Sequence, residues 1–466
     1  MGKCLVSQQI RKLINDGEIV TRMDESRIQP SSFEPQIGEE LFLLNEGFRP
    51  KREKTVYRSL LELPLRNRKR INITGGYELK VGFSYLLPLE EKLNLSGNLT
   101  VKSSPRSSLG RVFLNTRLVS DYNDCFDEVR NDRYKREMWL LVQPLFFNLI
   151  VYPGLTLNQL RFIDGYDAKL TIEELLKEDT LLWLNGKPVK DILIDGLGIH
   201  LDMKGEATGG IVALVARKNP EPIDLLMREE YLAEDYFSPM KAGDLFIERD
   251  KCILVASKEV LKVPGNRNVE LRANTHLSLT GPLHFAGFID NGWEGDIVFE
   301  IRPDEINRMK LEDGIPLSVL DVYRTDLPDK LYGEQIGSSY KFQRGCKTSK
   351  FFRSFDFDHA GRNYAKLDRE VLVQDVRLLK ECRKKSLGFE FIQKEKELLD
   401  LVNDGFFHSR YDCEDDFSVS QIIPYMLLFN NSSEVFAYVR TSCVQNYGEQ
   451  RLFGKHSIGV GGILVE

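Results

Sequence analysis

At 466 residues the chain has room for about three domains of ~150 residues, and its 42% hydrophobic and 29% charged residues suit a globular fold. Lys+Arg 64 against Asp+Glu 70 leaves a net charge of −6, which argues against a general polyanion binder but leaves room for a local phosphate site. No stretch approaches the ~20 apolar residues that span a bilayer; the best candidate, Leu145–Val151, is interrupted by Asn148 and followed by Pro153.

The N-terminal MGKCLVSQQIRKL lacks the apolar core of a signal peptide. Seven scattered cysteines (Cys4, Cys125, Cys252, Cys346, Cys382, Cys413, Cys443) form no CxxC pair, so no disulfide framework is expected. A soluble, cytoplasmic protein is the resulting expectation, with no membrane and no nucleic-acid polymer as partner. The basic run Arg66–Arg70 reads as a solvated loop. There is no GxxxxGK[ST] phosphate loop, no HExxH, and no H-x-E with PCxxC of the zinc deaminases. Hydrolysis by this chain would have to activate water with side chains, without a protein-held zinc.

In chain order, Ser7–Glu18 reads as a helix opening on a Ser cap. Alternating apolar residues and turn glycines then predict short strands. The pattern repeats. EKLNLSGNLTVK (91–102) matches EVLKVPGNRNVE (259–270) at an offset of 168, and GLTLNQL (154–160) matches GIPLSVL (314–320) at 160. The repeat predicts one β-rich unit over residues 1–190 and a second over 191–365. The charged, Leu-rich stretch Pro222–Phe237 reads as helical. Residues 366–466 have a different character, with charge clusters such as Lys380–Lys385 and strands expected at 421–429 and 434–440.

Two segments carry chemistry. SPRSSLGR (104–111) gathers two arginines and paired serines, a set of guanidinium forks, hydroxyls and turn N–H groups that suits a polyphosphate. Taken alone it also reads as a solvated turn. HFAGFIDNGWEGDIVFEI (284–301) reads as a hairpin turning at Asn291-Gly292, with Asp290 at its mouth and Glu300 in the returning strand. Alternation places Val298 on the face of Glu300. A carboxylate among such neighbours tends toward a raised pKa suited to moving a proton near neutrality, although a strand glutamate facing water is the alternative.

Together these segments resemble a family. RSSLGR (106–111) is similar to the GRSSLAR motif of the dCTP deaminases and the related trimeric dUTPases, and AGFIDNGWEG with VFE (286–300) to their nucleoside hairpin and catalytic glutamate. IQPSSFEPQIG (28–38) resembles their early IQPxSxDxRxG segment. LYG (331–333), SSYKFQ (338–343) and SKFF (349–352) resemble the C-terminal segment that closes over the triphosphate. The resemblance covers about residues 1–355 and implies a mainly β protein of two tandem dUTPase-like distorted β-barrel domains.

By this resemblance Glu300 is the acid/base, Ser107 and the backbone of Ala286 hold the water, and Arg111 supports developing charge. Arg106 and Ser108 contact phosphates, Asp290 the deoxyribose, and Tyr340, Lys341 and Gln343 cover the triphosphate. Phe288 stands in the substrate site where single-domain relatives carry arginine, and Glu34 replaces an aspartate. The first copy has Gln143 or Pro144 near the place of the glutamate; the second has only LRANTH (271–276) for the Arg-Ser-Ser motif. Each copy would thus hold half of one composite site.

The implied activity is zinc-independent deamination of dCTP to dUTP, with Mg²⁺ arriving on the nucleotide, no protein metal site, and a homo-oligomer expected. A dUTP pyrophosphatase or a bifunctional enzyme giving dUMP, and a non-catalytic nucleotide sensor, are the alternatives. SQIIPY (420–425), VFAYVRT (435–441) and GEQRLFGKHSIGVGG (448–462) resemble the opening of Nudix hydrolases, whose glutamate box is not in this sequence. Residues 366–466 are therefore expected to form a small, partial α+β module.

Overall fold

The computed structural model describes residues 2–130, 135–178, 180–193, 196–217, 221–242, 245–248, 251–274, 286–303, 308–334, 337, 339–355 and 357, and short strands between 370 and 461. The chain divides into two compact units, Met1–Phe357 and Asp358–Glu466.

The architecture of the first unit is mainly β, and the sequence repeat reappears in it as strand register. In the first copy Leu99–Pro105 pairs antiparallel with Asn158–Asp164, setting Leu99 opposite Asp164 and Lys102 opposite Arg161. In the second, Arg267–Ala273 pairs with Pro316–Arg324, setting Arg267 opposite Arg324 and Glu270 opposite Asp321. These partners stand at the same offsets as the sequence repeat.

Each copy is built mainly on two larger sheets. In the first, one sheet runs in the order Arg68–Asn72, Glu40–Leu44, Ser84–Leu93, Arg136–Pro144, Leu114–Ser120, and the other holds Lys3–Cys4, Asn158–Asp164, Leu99–Pro105 and Glu128–Arg130. In the second, Ile253–Lys262 and Glu294–Ile301 correspond to Ser84–Leu93 and Arg136–Pro144. Leu182–Leu184 pairs with Ile253–Lys262 and so belongs to the sheet of the second copy. Alternate residues of these strands fill the interior: Val255, Phe299, Ile301 and Leu320 in the second copy, Phe42, Leu86, Val119 and Trp139 in the first. Burial of such side chains, at ~25 cal/mol per Å² of apolar surface, is the main force holding the sheets together.

The N-terminal helix spans Ser7–Asn15 and buries Ile10, Leu13 and Ile14, one stripe at helical spacing. Val6, not Ser7, is its N-cap: the Val6 N–H donates to the Gln9 side chain at 2.9 Å. Gly17, at φ 73°, ends it, with the Glu18 N–H donating to the Leu13 carbonyl. The helix expected over Pro222–Phe237 does not form; only Ala233–Tyr236 is helical. Ile223–Asp224 instead adds a parallel strand to Leu149–Val151, an open edge that outweighs the local leucine-and-charge pattern.

In the second unit Glu370–Asp375 lies between Phe406–Ser409 and Val419–Gln421, Tyr425–Met426 pairs with Val460–Gly461, and Tyr438–Val439 pairs with His456–Ser457. Most of the expected strands at 421–429 and 434–440 lie outside the described residues. Among the described residues no helix is long and apolar enough to cross a membrane.

Candidate active site

Strand Glu294–Ile301 sorts its side chains by alternation. Phe299 and Ile301 enter the core, whereas Val298 and Glu300 line a cleft. Glu300 is 2% exposed and stands opposite Leu254 in the ladder. Leu86, the first-copy counterpart of Leu254, stands opposite Leu141. Register therefore puts Leu141, and not Gln143 or Pro144, at the place of the glutamate, so the first copy carries an apolar residue there.

The segment before Glu300 turns at Asn291-Gly292, with Gly292 at φ 81° and the Trp293 N–H donating to the Asp290 carbonyl. It is not a paired hairpin. Phe288–Ile289 pairs with Arg267–Ala273, while Glu294–Ile301 pairs with Ile253–Lys262 in the other sheet. The turn steps between sheets because its buried polar side chains bind elsewhere, Asn291 to Gly265 and Thr325, and Asp290 to Ser31 and Arg161.

Arg106–Arg111 arrives at the same cleft from the first copy. Strand Leu99–Pro105 ends at Pro105 and Ser107–Gly110 makes one helical turn. Arg106, Ser107, Ser108 and Arg111 line the cleft together with Ala286, Phe288, Asp290, Glu300, Tyr340 and Gln343. The approach is close: a Cβ on Gly110 would stand 2.9 Å from Glu300 Oε1 and 3.1 Å from the Ala286 methyl. Gly287 likewise has no room for a side chain, since a Cβ would meet the Leu271 carbonyl at 2.6 Å, and its N–H donates to Ser104 Oγ at 2.9 Å.

The segment after residue 339 holds these parts in place. Buried Arg111 donates to the Lys347 carbonyl and to Gln343 Oε1, both at 3.0 Å, and its guanidinium lies 3.9 Å from the Tyr340 ring centroid. Ser349 Oγ donates to the Ser108 carbonyl at 2.7 Å. Arg106 reaches Thr156 and Glu34, the latter at 3.2 Å. Burial pushes the Glu34 carboxyl up, opposed by Arg106 and the Thr156 hydroxyl. Lys341 is not among the cleft residues; its ammonium donates to the Tyr332 carbonyl at 3.0 Å and faces Glu334. The lysine in the cleft is Lys350, pushed down to about 8 by burial and then by the charge of Arg106. Ser338 and His284 lie outside the described residues.

The Asp290 end of the cleft is built from three segments. Asp290 Oδ1 accepts from Ser31 Oγ at 2.8 Å and from Arg161 Nη2 at 3.3 Å. Arg161 and Lys350 were not singled out by sequence. Lys350 sits inside the quoted SKFF segment, but only the fold tells which lysine of 341 and 350 turns inward. Nothing local marks Arg161. Among the described residues no group of three or more His, Cys, Asp or Glu is placed to hold a metal.

The description "2'-deoxycytidine 5'-triphosphate deaminase (DCD) N-terminal domain" matches residues 2–166, and that of the C-terminal domain of the same family matches 169–352. Curated relatives named "dCTP deaminase, dUMP-forming" include one from Methanosphaerula palustris, 26% identical over 137 residues, covering 29% of this chain and 73% of the relative. Another, from Parafrankia sp., is 29% identical over 137 residues, covering 28% of this chain and 68% of the relative. The crystal structure of 2'-deoxycytidine 5'-triphosphate deaminase from Agrobacterium tumefaciens superposes with a TM-score of 0.63 at 25% identity, covering 70% of this chain and 99% of that one. With both of its domains matched in order and a shared fold, this chain belongs to the 2'-deoxycytidine 5'-triphosphate deaminase family.

Proposed function

We propose that the chain hydrolyses the 4-amino group of dCTP, giving dUTP and ammonia, at one composite site. The observation that carries this reading is the meeting of Arg106–Arg111 from one copy with Glu300 from the other, close enough that only a glycine at 110 leaves Glu300 its room. Glu300 takes a proton from the water that attacks C4 and returns it toward the base and the leaving amine. Positioned acid/base work of this kind contributes roughly 10²–10⁴-fold. Ser107 and the Ala286 backbone orient the water, and Arg111, immobilised by Gln343 and Tyr340, faces the developing charge. Arg106, Ser108 and Lys350 receive the phosphates, and Asp290 the deoxyribose.

The two copies are read as dUTPase-like distorted barrels. Mg²⁺ would come with the triphosphate: the phosphate side offers cations and hydroxyls, and its carboxylate, Glu34, already engages Arg106. Such an ion takes phosphate oxygens and water as ligands in preference to a protein cage. Zinc independence and assembly into a homo-oligomer are further parts of the proposal.

A second reading continues the reaction to dUMP and pyrophosphate, favoured by the "dUMP-forming" names of the relatives. Incubation with dCTP and Mg²⁺, with ammonia, dUTP, dUMP and pyrophosphate measured together, separates the two. Ammonia in step with dUTP supports the first reading and ammonia in step with pyrophosphate the second; no ammonia refutes both.

A further inference from the structure

Arg161 lies on strand Asn158–Asp164 of the first copy and is 1% exposed. It is not one of the residues lining the cleft. Its side-chain hydrogen bonds nevertheless all go to the second copy, to strand Arg267–Ala273 and to the segment that leads into the turn. Nη1 donates to the Val269 carbonyl at 2.7 Å, and Nη2 to the Ile289 carbonyl at 2.8 Å and to Asp290 Oδ1 at 3.3 Å. Its guanidinium carbon lies 4.3 Å from the centroid of the Phe288 ring. One buried cation thus grips three consecutive residues, 288–290, by a ring face, a carbonyl and a carboxylate. Ser31 adds a second donor to the same Asp290 oxygen. Among the described residues Asp290 Oδ2 has no hydrogen-bond partner, and Asp290 lines the cleft.

The second copy cannot return this arrangement. The counterpart of Arg161 is Asp321, which is held by Lys169 and Arg272. The cation is therefore a property of one copy, placed behind the Phe288 ring.

We propose that Arg161 is the positioning residue for the sugar end of the site: with Ser31 it fixes Asp290 Oδ1, so that Oδ2 is presented to the 3′-hydroxyl of the deoxyribose. This rests on the reading that Asp290 meets the sugar. A buried hydrogen-bonding group set against a substrate hydroxyl discriminates strongly against an analogue that lacks it, and loses that power when its aim is lost.

The test is equilibrium binding of dCTP and of 2′,3′-dideoxycytidine triphosphate to the full chain carrying Glu300→Gln, so that nothing turns over. In that background Arg161→Lys should weaken dCTP about tenfold or more and the dideoxy analogue less than about twofold. Ser31→Ala, which leaves the buried cation in place, should reduce discrimination in the same direction by a smaller factor. A structural role alone would weaken both nucleotides equally, and that result overturns the inference. Should Arg161→Lys not fold, unchanged discrimination in Ser31→Ala overturns it as well. Asp290→Asn separates the two levels. Discrimination that survives it overturns the sugar assignment and the inference together; discrimination lost there but retained in both Arg161→Lys and Ser31→Ala overturns the inference alone.

Discussion

Lys102 and Glu270 occupy the same position in the two copies, 168 residues apart, and bind each other: Nζ lies 2.8 Å from Oε2. The Tyr323 hydroxyl donates to the same oxygen at 2.7 Å. Their cross-strand neighbours carry matching signs, Arg161 beside Lys102 and Asp321 beside Glu270. Of these four, Lys102 and Glu270 meet across the copies, while Arg161 reaches Asp290 and Asp321 is held by Lys169 and Arg272. Two identical copies would have placed like charges against each other here, so the repeat has diverged into halves that select one another.

Reversing one sign should show this. Burial raises the Glu270 carboxyl, but Lys102, Tyr323 and Arg161 outweigh it and hold the group below its ordinary range. Lys102→Glu removes that support and sets two carboxylates together, which should cost about 1–3 kcal/mol in denaturant unfolding. Adding Glu270→Lys should recover part of the loss. Equal losses in the single and double variants would show that the pair carries no coupling.

Glu300→Gln should abolish ammonia release while nucleotide binding stays within about tenfold, because the amide keeps the shape but cannot accept the proton. Retention of more than a few per cent of the activity would remove Glu300 as the base.

The residues contributed by contiguous motifs, Arg106 to Arg111 and Ala286 to Glu300, were legible because their spacing is a local property of the chain. Strand alternation alone placed Val298 with Glu300 and turned Phe299 away. What sequence did not reveal depends on partners far along the chain. The 288–301 segment looks like a hairpin, yet its two strands find different neighbours, since cross-strand pairing is chosen by whichever edges are open. Residues 222–224 follow the edge of Leu149–Val151 in the same way. Arg161 sits in a strand whose pattern reads as ordinary, and its value comes from a turn more than a hundred residues later.

Lys350 gives the site a pH dependence. With its ammonium pushed down to about 8, a growing fraction is neutral as pH rises through 8, and attraction for the triphosphate falls. Nucleotide affinity should decline across pH 7–9, and Lys350→Met should flatten the profile. An unaltered slope in that variant would assign the titration elsewhere.

Stability has its own pH dependence through His200. Glu259 accepts from its ring at 2.6 Å and Asp191 faces the other nitrogen at 3.0 Å, which together raise the imidazole above its ordinary 6.5 against the effect of burial. A raised folded-state pKa means stability present below the unfolded value and lost as pH climbs through the folded one. The equivalent buried carboxylate of the first copy, Glu91, pairs with Arg27, which does not titrate in this range. Denaturation midpoints should therefore fall on the alkaline side of pH 6.5, and His200→Gln should remove that fall. A fall that persists in the variant would rule out His200 as its origin.

Arg106 and Arg272 test whether the two copies divide the work. Both are arginines near the ends of equivalent strands, but their surroundings differ. Arg106 lines the cleft beside Ser107, Ser108 and Lys350. Arg272 Nε instead donates to both oxygens of Asp321, at 3.0 and 3.1 Å, and is not a cleft residue. Arg106→Ala should weaken triphosphate binding by about 1.5–3 kcal/mol, the range for a lost hydrogen bond to a charged group. Arg272→Ala should leave nucleotide affinity within about twofold and lower stability by no more than about 1 kcal/mol, because Lys169 remains 2.6 Å from Asp321. Titrating both variants with dCTP and with dCMP sharpens the comparison, since dCMP lacks the outer phosphates and should bind the wild type and Arg106→Ala more nearly alike. Equal loss of dCTP affinity in Arg106→Ala and Arg272→Ala would mean that Arg272 acts on the phosphates as Arg106 does, and the assignment of the arginine contact to the first copy alone would be wrong.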